Sequence, residues 1–353
     1  MHTKIQPYTV PNIAFSTLAK MSNRAFRPVK PKILILAARG RESLTKDQNI
    51  RLGSLAEVHY HCVLKPLTPD EFVKIAWNYD YIAITRRAIH RLGQETLSAL
   101  PRLKGISVYS TGTEWIDTSF LRERGIQFNS LPDYCTNAVA ETALGLLFLS
   151  AHKFHLRYLK TTHAIPEYVS LRGRELYSGT VGIIGYGRIG RLLAKKIQPL
   201  CNRILVHDID PEQLNFLPSG IVVVGMEALL HQADWVVCCA SQSYDEKPIL
   251  NDGDYALLRP ETTLINVART SLFDHERLVE MVKNRQLNAY FYDDLLQPEE
   301  KPNEVEFGKI VPMGHTAWYT NEAMERGTET WVENLRLLIK NSPTTHKTQI
   351  STC

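Results

Sequence analysis

Three apolar runs in the second half of the chain each end in a side chain that can do chemistry. "TLINVA" is followed by Arg269, "NAYFY" by Asp293 and Asp294, and "KIVPM" by Gly314 and His315; Glu299 stands a few residues past the acidic pair. Ligands of open α/β sheets sit outside the carboxyl ends of the strands, so strand ends are where reactive groups belong. A guanidinium grips a carboxylate through two parallel hydrogen bonds and polarises a neighbouring ketone. A protonated imidazole gives its proton to a carbonyl oxygen as hydride arrives. A carboxylate beside that imidazole stabilises its charged form and raises its pKa toward neutrality. Together these groups suit reduction of a 2-keto acid. His315 is one of twelve histidines, set beside two aromatics in "VPMGHTAWYT", and alone it reads as a packed core residue. Its company at the neighbouring strand ends reverses that reading.

A hydride needs a carrier, and "TVGIIGYGRIG" has the pattern of a carrier site. A buried β-type run leads into Gly185-x-Gly187-x-x-Gly190 and then a helix. Gly185 permits the tight turn, Gly187 lets the backbone approach a pyrophosphate, and Gly190 lets helix and strand pack closely. The helix N-terminus offers free N–H groups to the phosphates. The next strand, "RILVHD", ends in Asp208, where an acidic side chain can accept from the adenosine ribose hydroxyls and repel a 2′-phosphate, favouring NAD over NADP. A structural turn with a solvated Asp is the plainer alternative. His207 packs or caps the strand end and is given no chemistry.

The elements that must position these groups follow from the alternation of the chain. "KILILAA" (32–38), "DYIAIT" and "LKGISVYS" are apolar strands with amphipathic segments between them, a rhythm that implies right-handed crossovers and a parallel sheet. "NAVAETALGLLFLSAHKFHLRYLK" (137–160) reads as one long helix, apolar nearly all round at its start and so buried against a domain or a partner subunit. A second alternating block runs from the glycine fingerprint to about residue 313, followed by a final helix, "NEAMERGTETWVENLRLLIKN". The fold class expected is α/β, with two Rossmann-like or flavodoxin-like parallel-sheet domains and the nucleotide domain inserted into a discontinuous substrate domain. The boundaries expected are an extension over 1–31, a substrate domain over 32–135 and 316–340, an NAD-binding domain over 136–315, and a polar, disordered tail over 341–353. Hinges fall near residues 135 and 315.

Composition narrows the setting. At 353 residues there is room for about two cores. The net charge of +4 is interspersed, which gives no reason to expect nucleic acid. The longest apolar run, "TALGLLFLSA", is too short to span a bilayer, and no secretory leader is evident. Six cysteines have no zinc spacing, so no metal site is expected and a reducing cytoplasm fits.

These motifs resemble the D-isomer-specific 2-hydroxyacid dehydrogenase family over roughly residues 32 to 340. "NVART" resembles the family's NxARG, which implies that Arg269 is the substrate-binding and catalytic arginine. "GHTAWYT" resembles PHxAxxT, implying His315 as acid/base. "DDLLQPEE" resembles DVFxxEP loosely: the nicotinamide-amide aspartate falls on Asp293 without a gap, while the glutamate needs one inserted residue to fall on Glu299. Glu300 and Gln297 are its rivals. The resemblance also implies cofactor contacts from Gly185, Tyr186, Gly187, Arg188, Ile189, Gly190, Asp208, Cys239, Ala268, Asp293 and His315. "STGTEWID" (110–117) resembles the substrate loop GxGxDNID, implying a substrate site at Ser110, Thr111 and Gly112 with Arg269 and Trp318. Glu114-Trp115 replaces Asp-Asn there, and Thr270 replaces the Gly after the arginine. Tyr109, Trp115, Trp318 and Tyr319 are expected to shape the pocket. Arg86 or Arg87 of "TRRAIH" could sense a distal charge or stand in a solvated turn. The function implied is an NAD-dependent 2-keto acid reductase or D-2-hydroxyacid dehydrogenase acting on a small molecule, as a homodimer built across its nucleotide domains. The alternative is an NAD(H)-binding interaction protein of the corepressor type, since C-terminal binding proteins carry a similar histidine stretch.

Overall fold

The computed structural model describes residues 30–215, 217–245, 247–294 and 308–341. Twelve strands among the described residues form two wholly parallel sheets. The first contains β1 (Lys32–Ala37), β2 (Glu57–Cys62), β3 (Tyr81–Thr85), β4 (Gly105–Tyr109) and β5 (Gln127–Asn129), in the order β2-β1-β3-β4-β5. The second contains β6 (Thr180–Ile184), β7 (Arg203–His207), β8 (Ile221–Val223), β9 (Trp235–Cys238), β10 (Thr263–Asn266), β11 (Ala289–Tyr292) and β12 (Ile310–Pro312), in the order β12-β11-β10-β9-β6-β7-β8. The first order is flavodoxin-like. The second is the doubly wound dinucleotide order with β12 added, and it reverses direction between β6 and β9. The fold is therefore the two-sheet α/β architecture expected.

Strand registers explain why the chemical groups meet. Ile184 pairs with Cys238, Cys238 with Asn266, Asn266 with Tyr292, and Tyr292 with Pro312. That row sets the carboxyl ends of five strands along one rim. Gly185, Cys239, Arg269, Asp293 and His315 leave the sheet just beyond it. In the first sheet Thr85 pairs with Tyr109, which brings Arg86 and Ser110 to a common edge.

One long helix packs on each sheet. Thr136–His152 buries Ala138, Val139, Ala140, Ala143, Leu146, Leu147 and Ala151, and it packs on the helix Arg188–Ile197 and on β10. The final helix, Asn321–Lys340, returns to the first sheet and lies on β3, β4 and β5. Trp331 is its anchor: the indole is 1% exposed and its Nε1 donates to the Ser107 carbonyl at 3.1 Å. Burying a side chain of that size contributes about 3 kcal/mol.

The long helix expected over 137–160 is in fact two, Thr136–His152 and Phe154–Thr161, separated by Lys153 in the left-handed conformation (φ 53°). Neither Gly nor Pro marks the break. His152 stacks between Phe148 and Phe154, with centroids 6.2 and 5.4 Å away, and the Ala151 carbonyl accepts from Arg174 N–H at 2.8 Å. Tertiary contacts thus terminate the helix where propensity alone would continue it. The extension and tail expected at 1–31 and 341–353 lie almost entirely outside the described residues. Among the described residues no helix is long and apolar enough to cross a membrane, and no group of His, Cys, Asp and Glu could hold a metal ion.

Candidate active site

At the switch point of the second sheet, the loops after β6 and β9 touch. Gly185 has φ +89°, and a Cβ there would lie 2.5 Å from the Ala240 amide nitrogen. A Cβ on Gly190 would collide with the Gly185 carbonyl oxygen, whereas one on Gly187 would meet nothing within 4 Å. Two of the three glycines therefore let the chain pack on itself, and the third faces open space. The helix Arg188–Ile197 begins at that point with no side-chain cap, so its first N–H groups are available to an anion. Asp208 is pinned beside the turn, its Oδ2 accepting from Tyr186 N–H at 2.6 Å and its Oδ1 from Asp210 N–H at 2.9 Å. Each oxygen keeps a lone pair for a ribose hydroxyl. This cradle fits NAD.

The other fingerprint residues divide by what they can offer. The Tyr186 ring is buried with the Arg191 guanidinium 5.7 Å above it, so only its backbone lines the turn. Arg188 is exposed and Ile189 is half-buried against the core. Cys239 donates its N–H to the Ile184 carbonyl at 2.7 Å, and burial pushes its thiol up, leaving it protonated. Ala268 N–H is held by Asn266 Oδ1 at 2.9 Å.

Arg269 sits on a loop pinned at both ends. The Asn266 amide donates to the Arg269 carbonyl at 2.7 Å, and Asp294 Oδ2 accepts from Thr270 N–H at 3.0 Å and from its hydroxyl at 2.9 Å. Thr270 is thus engaged by its side chain where the family carries glycine. The guanidinium donates Nε–H to Glu114 Oε1 at 2.9 Å and Nη1–H to the Ala268 carbonyl at 3.0 Å. Burial opposes the charge, but the Glu114 carboxylate together with Asp294 and Asp293 outweighs it and holds the Arg269 pKa above its ordinary value.

His315 lies in a turn built by Asp293. Its two carboxylate oxygens accept from Thr316 N–H at 2.7 Å and Ala317 N–H at 3.0 Å. The turn holds Gly314 at φ +70° and His315 at φ +56°, a conformation that a side chain with a Cβ adopts only when its surroundings enforce it. The imidazole Nδ1 is buried with no hydrogen-bond partner among the described residues. Burial, then the positive charge of Arg269, hold the His315 pKa below its ordinary value, while Asp293 and Asp294 oppose them. Glu299, with its rivals Gln297 and Glu300, falls outside the described residues.

The loop after β4 reaches this rim from the other sheet. Ser110 Oγ donates to the Gly112 carbonyl at 2.5 Å, and Thr111 Oγ1 donates to the Leu131 carbonyl at 2.9 Å. A Cβ on Gly112 would collide with the Glu114 carboxylate and lie 2.8 Å from Arg269 Nη2. Trp318 is half-buried beside Tyr109 and Tyr134, with centroids 6.2 and 6.0 Å away, and donates Nε1–H to the His315 carbonyl at 3.1 Å. It braces the histidine turn from the aromatic seam. Trp115 does not shape the pocket: its indole is 1% exposed, in the core of the first sheet, with Nε1 bonded to the Gly112 carbonyl at 3.2 Å. Tyr319 is 60% exposed. Arg87 is exposed, and its charge bears on His315 from across the cleft.

Three contributors play parts not read from sequence: Asn266, Asp294, named there only as one of the acidic pair, and Glu114. The first two were legible in principle, as polar residues at strand ends flanking Arg269. Glu114 was visible only as a departure from the loop pattern.

Residues 145–317 match the model of the D-isomer specific 2-hydroxyacid dehydrogenase, NAD binding domain. The chain is 25% identical over 287 residues to the glycerate dehydrogenase of Methylorubrum extorquens, covering 78% of this chain and 88% of that one. It is 27% identical over 267 residues to the glyoxylate reductase of Pyrococcus furiosus, covering 72% and 79%. The D-lactate dehydrogenase of Aquifex aeolicus, solved in complex with NAD and lactic acid, shares the fold at a TM-score of 0.72 and 20% identity, over 87% of this chain and 95% of that one. All three are dehydrogenases or reductases, and the corepressor alternative gains no support from them.

Proposed function

The chain belongs through residues 145–317 to the D-isomer-specific 2-hydroxyacid dehydrogenase family, and we propose that it reduces a 2-keto acid, or oxidises the D-2-hydroxy acid, at the rim shared by its two sheets. The cofactor is NAD, which when bound supplies or takes the hydride at its nicotinamide. The observation that carries the proposal is the setting of Arg269. Its guanidinium is largely buried, its Nε and one Nη1 hydrogen are satisfied, and its remaining N–H groups, with Nη2 beside Gly112, have no protein acceptor among the described residues. Such an edge suits a planar carboxylate next to a carbonyl.

In this reading Arg269 grips the carboxylate and polarises the C2 carbonyl, while the N–H groups of the Ser110–Gly112 loop approach the same carboxylate. His315 holds the proton that passes to the carbonyl oxygen, and accepts it in the reverse direction. Glu299 is proposed as the carboxylate that sustains the imidazolium. Asp293 keeps the histidine turn in place and keeps lone pairs for the nicotinamide amide. Domain closure about residues 135 and 315, between 32–135 with 316–340 and 136–315, would exclude water. A homodimer is proposed on the surface around Phe154–Thr161, where Phe154, Tyr158, Tyr168 and Tyr177 are all more than half exposed. The five described cysteines are free thiols, in keeping with a cytoplasmic site of action.

The test is NADH oxidation with glyoxylate, hydroxypyruvate, pyruvate, phenylpyruvate and bulkier 2-keto acids. Turnover of at least one is expected. His315→Ala should lower kcat by about 100-fold or more and leave NADH affinity nearly unchanged. Tight NADH binding without turnover of any of them sinks the reading, and a large loss of NADH affinity in His315→Ala would mean that the histidine is structural.

A further inference from the structure

Glu114 and Arg269 are 155 residues apart and belong to different sheets: Glu114 follows β4 and Arg269 follows β10. Their side chains meet at 2.9 Å, with Glu114 only 6% exposed and Arg269 23%. A buried carboxylate this close to a guanidinium that must grip another carboxylate could do one of two things. It could occupy the substrate's place, or it could hold the guanidinium ready. The atoms decide between them. Glu114 takes Nε–H, on the flank of the guanidinium, and the Ala268 carbonyl takes one N–H of Nη1. Of the five donors, three remain, one on Nη1 and two on Nη2. Nη2 lies over Gly112, at 2.8 Å from where a Cβ would stand, so this end of the guanidinium meets the loop at its one residue without a side chain.

The loop itself cannot shift to extend a shorter side chain. Trp115 is buried and bonded to the Gly112 carbonyl, Ile116 N–H is bonded to the Thr113 carbonyl at 3.0 Å, and Asp117 caps the next helix through Phe120 N–H at 2.9 Å. Glutamate, one methylene longer than the aspartate of the family pattern, makes this contact to Nε. Resting on the function proposed above, we propose that Glu114 is a positioning residue: it clamps the flank of Arg269 across the two sheets, so that the outer edge of the guanidinium is presented to the substrate carboxylate already oriented. An arginine side chain left free there has four rotatable bonds to fix at each encounter. Misplacing a substrate-gripping group by about 1 Å costs on the order of 100-fold in rate.

Three variants test the proposal, assayed with the best 2-keto acid and NADH. Glu114→Gln keeps an oxygen that accepts from Nε, losing the charge and one acceptor, and should stay within about 10-fold of the parent in kcat/KM. Glu114→Asp falls short of Nε and should lose more, and Glu114→Ala should lose on the order of 100-fold. NADH affinity should be unchanged in all three. The rescue order Gln, Asp, Ala is not expected of a merely structural residue. A lower KM in Glu114→Ala would overturn the proposal, because the glutamate would then be competing with substrate. Parent-like kinetics in Glu114→Ala, or equal damage from Gln and Ala in folded protein, would also overturn it.

Oxalate binding to the NADH-loaded enzyme, read by calorimetry, interrogates the same edge without turnover. Should the parent reduce no 2-keto acid, the functional reading fails, and oxalate then decides the fate of Glu114 separately. Binding that is weakened in Glu114→Ala and restored in Glu114→Gln supports the clamp. Equal binding in all variants, or none in the parent, overturns it.

Discussion

Arg51 and Arg269 each meet a glutamate from a distant part of the chain, and the two pairs are built in opposite ways. Arg51, on the helix Lys46–Leu55, gives both Nη groups to Glu329 of the final helix, at 2.7 and 2.6 Å, with Asp47 2.8 Å from its Nε. That pair is 40% and 54% exposed. Arg269 gives Glu114 only its Nε, and that pair is 23% and 6% exposed. The exposed arginine has spent its whole binding edge on the protein. The buried one keeps that edge open, although leaving donors unsatisfied in a low-dielectric site is costly. A fold tolerates such an open edge where a ligand completes it, and Arg269 is the arginine proposed to meet the substrate.

The largest expected effect comes from removing each guanidinium in turn. Arg269→Gln should lower kcat/KM for the 2-keto acid by about 1,000-fold or more, the scale of losing a preorganised charged donor at developing charge. NADH affinity should stay within a few-fold. Arg51→Gln should leave both parameters at parental values. Comparable losses in the two variants would erase the distinction between a pair that orients a reactive edge and a pair that staples two helices.

The same comparison can be read through His315 by its titration. Burial, and next the positive charge of Arg269, disfavour the imidazolium and hold its pKa below the ordinary histidine value. Removing that positive charge must therefore raise the pKa. In NMR titrations of the free enzyme, the His315 ring protons should titrate below about 6.5 in the parent. They should shift upward in Arg269→Gln and stay put in Arg51→Gln. Reduction needs the protonated ring, so kcat/KM in the parent should fall as pH rises through that depressed pKa. An Arg269→Gln titration that coincides with the parent's would mean that the guanidinium does not act on the histidine.

Much of the fold and part of the site were legible because local rules set them. The glycine turn after β6 follows from backbone geometry, and the rim of Arg269, Asp293 and His315 follows from strands that all point one way. What escaped the sequence depended on tertiary distance. β2 was not predicted, since "EVHYHC" is an edge strand half-buried on both faces, without alternation or a continuous apolar run. The helix break at Lys153 is enforced by ring stacking and by the return of residue 174, neither of which leaves a local signature. Glu114 was noticed only as a substitution. Nothing near it in the chain says that a side chain one methylene longer finds a guanidinium 155 residues away, because that contact exists only once both sheets have formed. Trp115, its neighbour, was expected in the pocket for its size and position. The turn past β4 buries the indole in the core of the first sheet instead, and the glutamate beside it meets Arg269.

The smallest expected effect belongs to the exposed pair. Glu329→Gln removes a bidentate ion pair that holds the final helix to the helix Lys46–Leu55, yet water and salt screen both partners. Its contribution should be no more than about 1 kcal/mol, a shift in Tm of about 2 °C for a chain of this size. The sign of its pH dependence is fixed by the Glu329 carboxyl, which hydrogen bonds from Arg51 and Gln48 hold down at about 2. A carboxylate whose folded pKa is depressed contributes fully above its unfolded pKa and loses that contribution as pH falls toward the folded value. The difference in Tm between parent and Glu329→Gln should therefore be largest near neutrality, shrink below about pH 4, and shrink also in 1 M salt. Activity at neutral pH should be unaffected. A loss of activity with little loss of stability would mean that the helix staple governs the geometry of the cleft, and the two arginine pairs would then be parts of one mechanism.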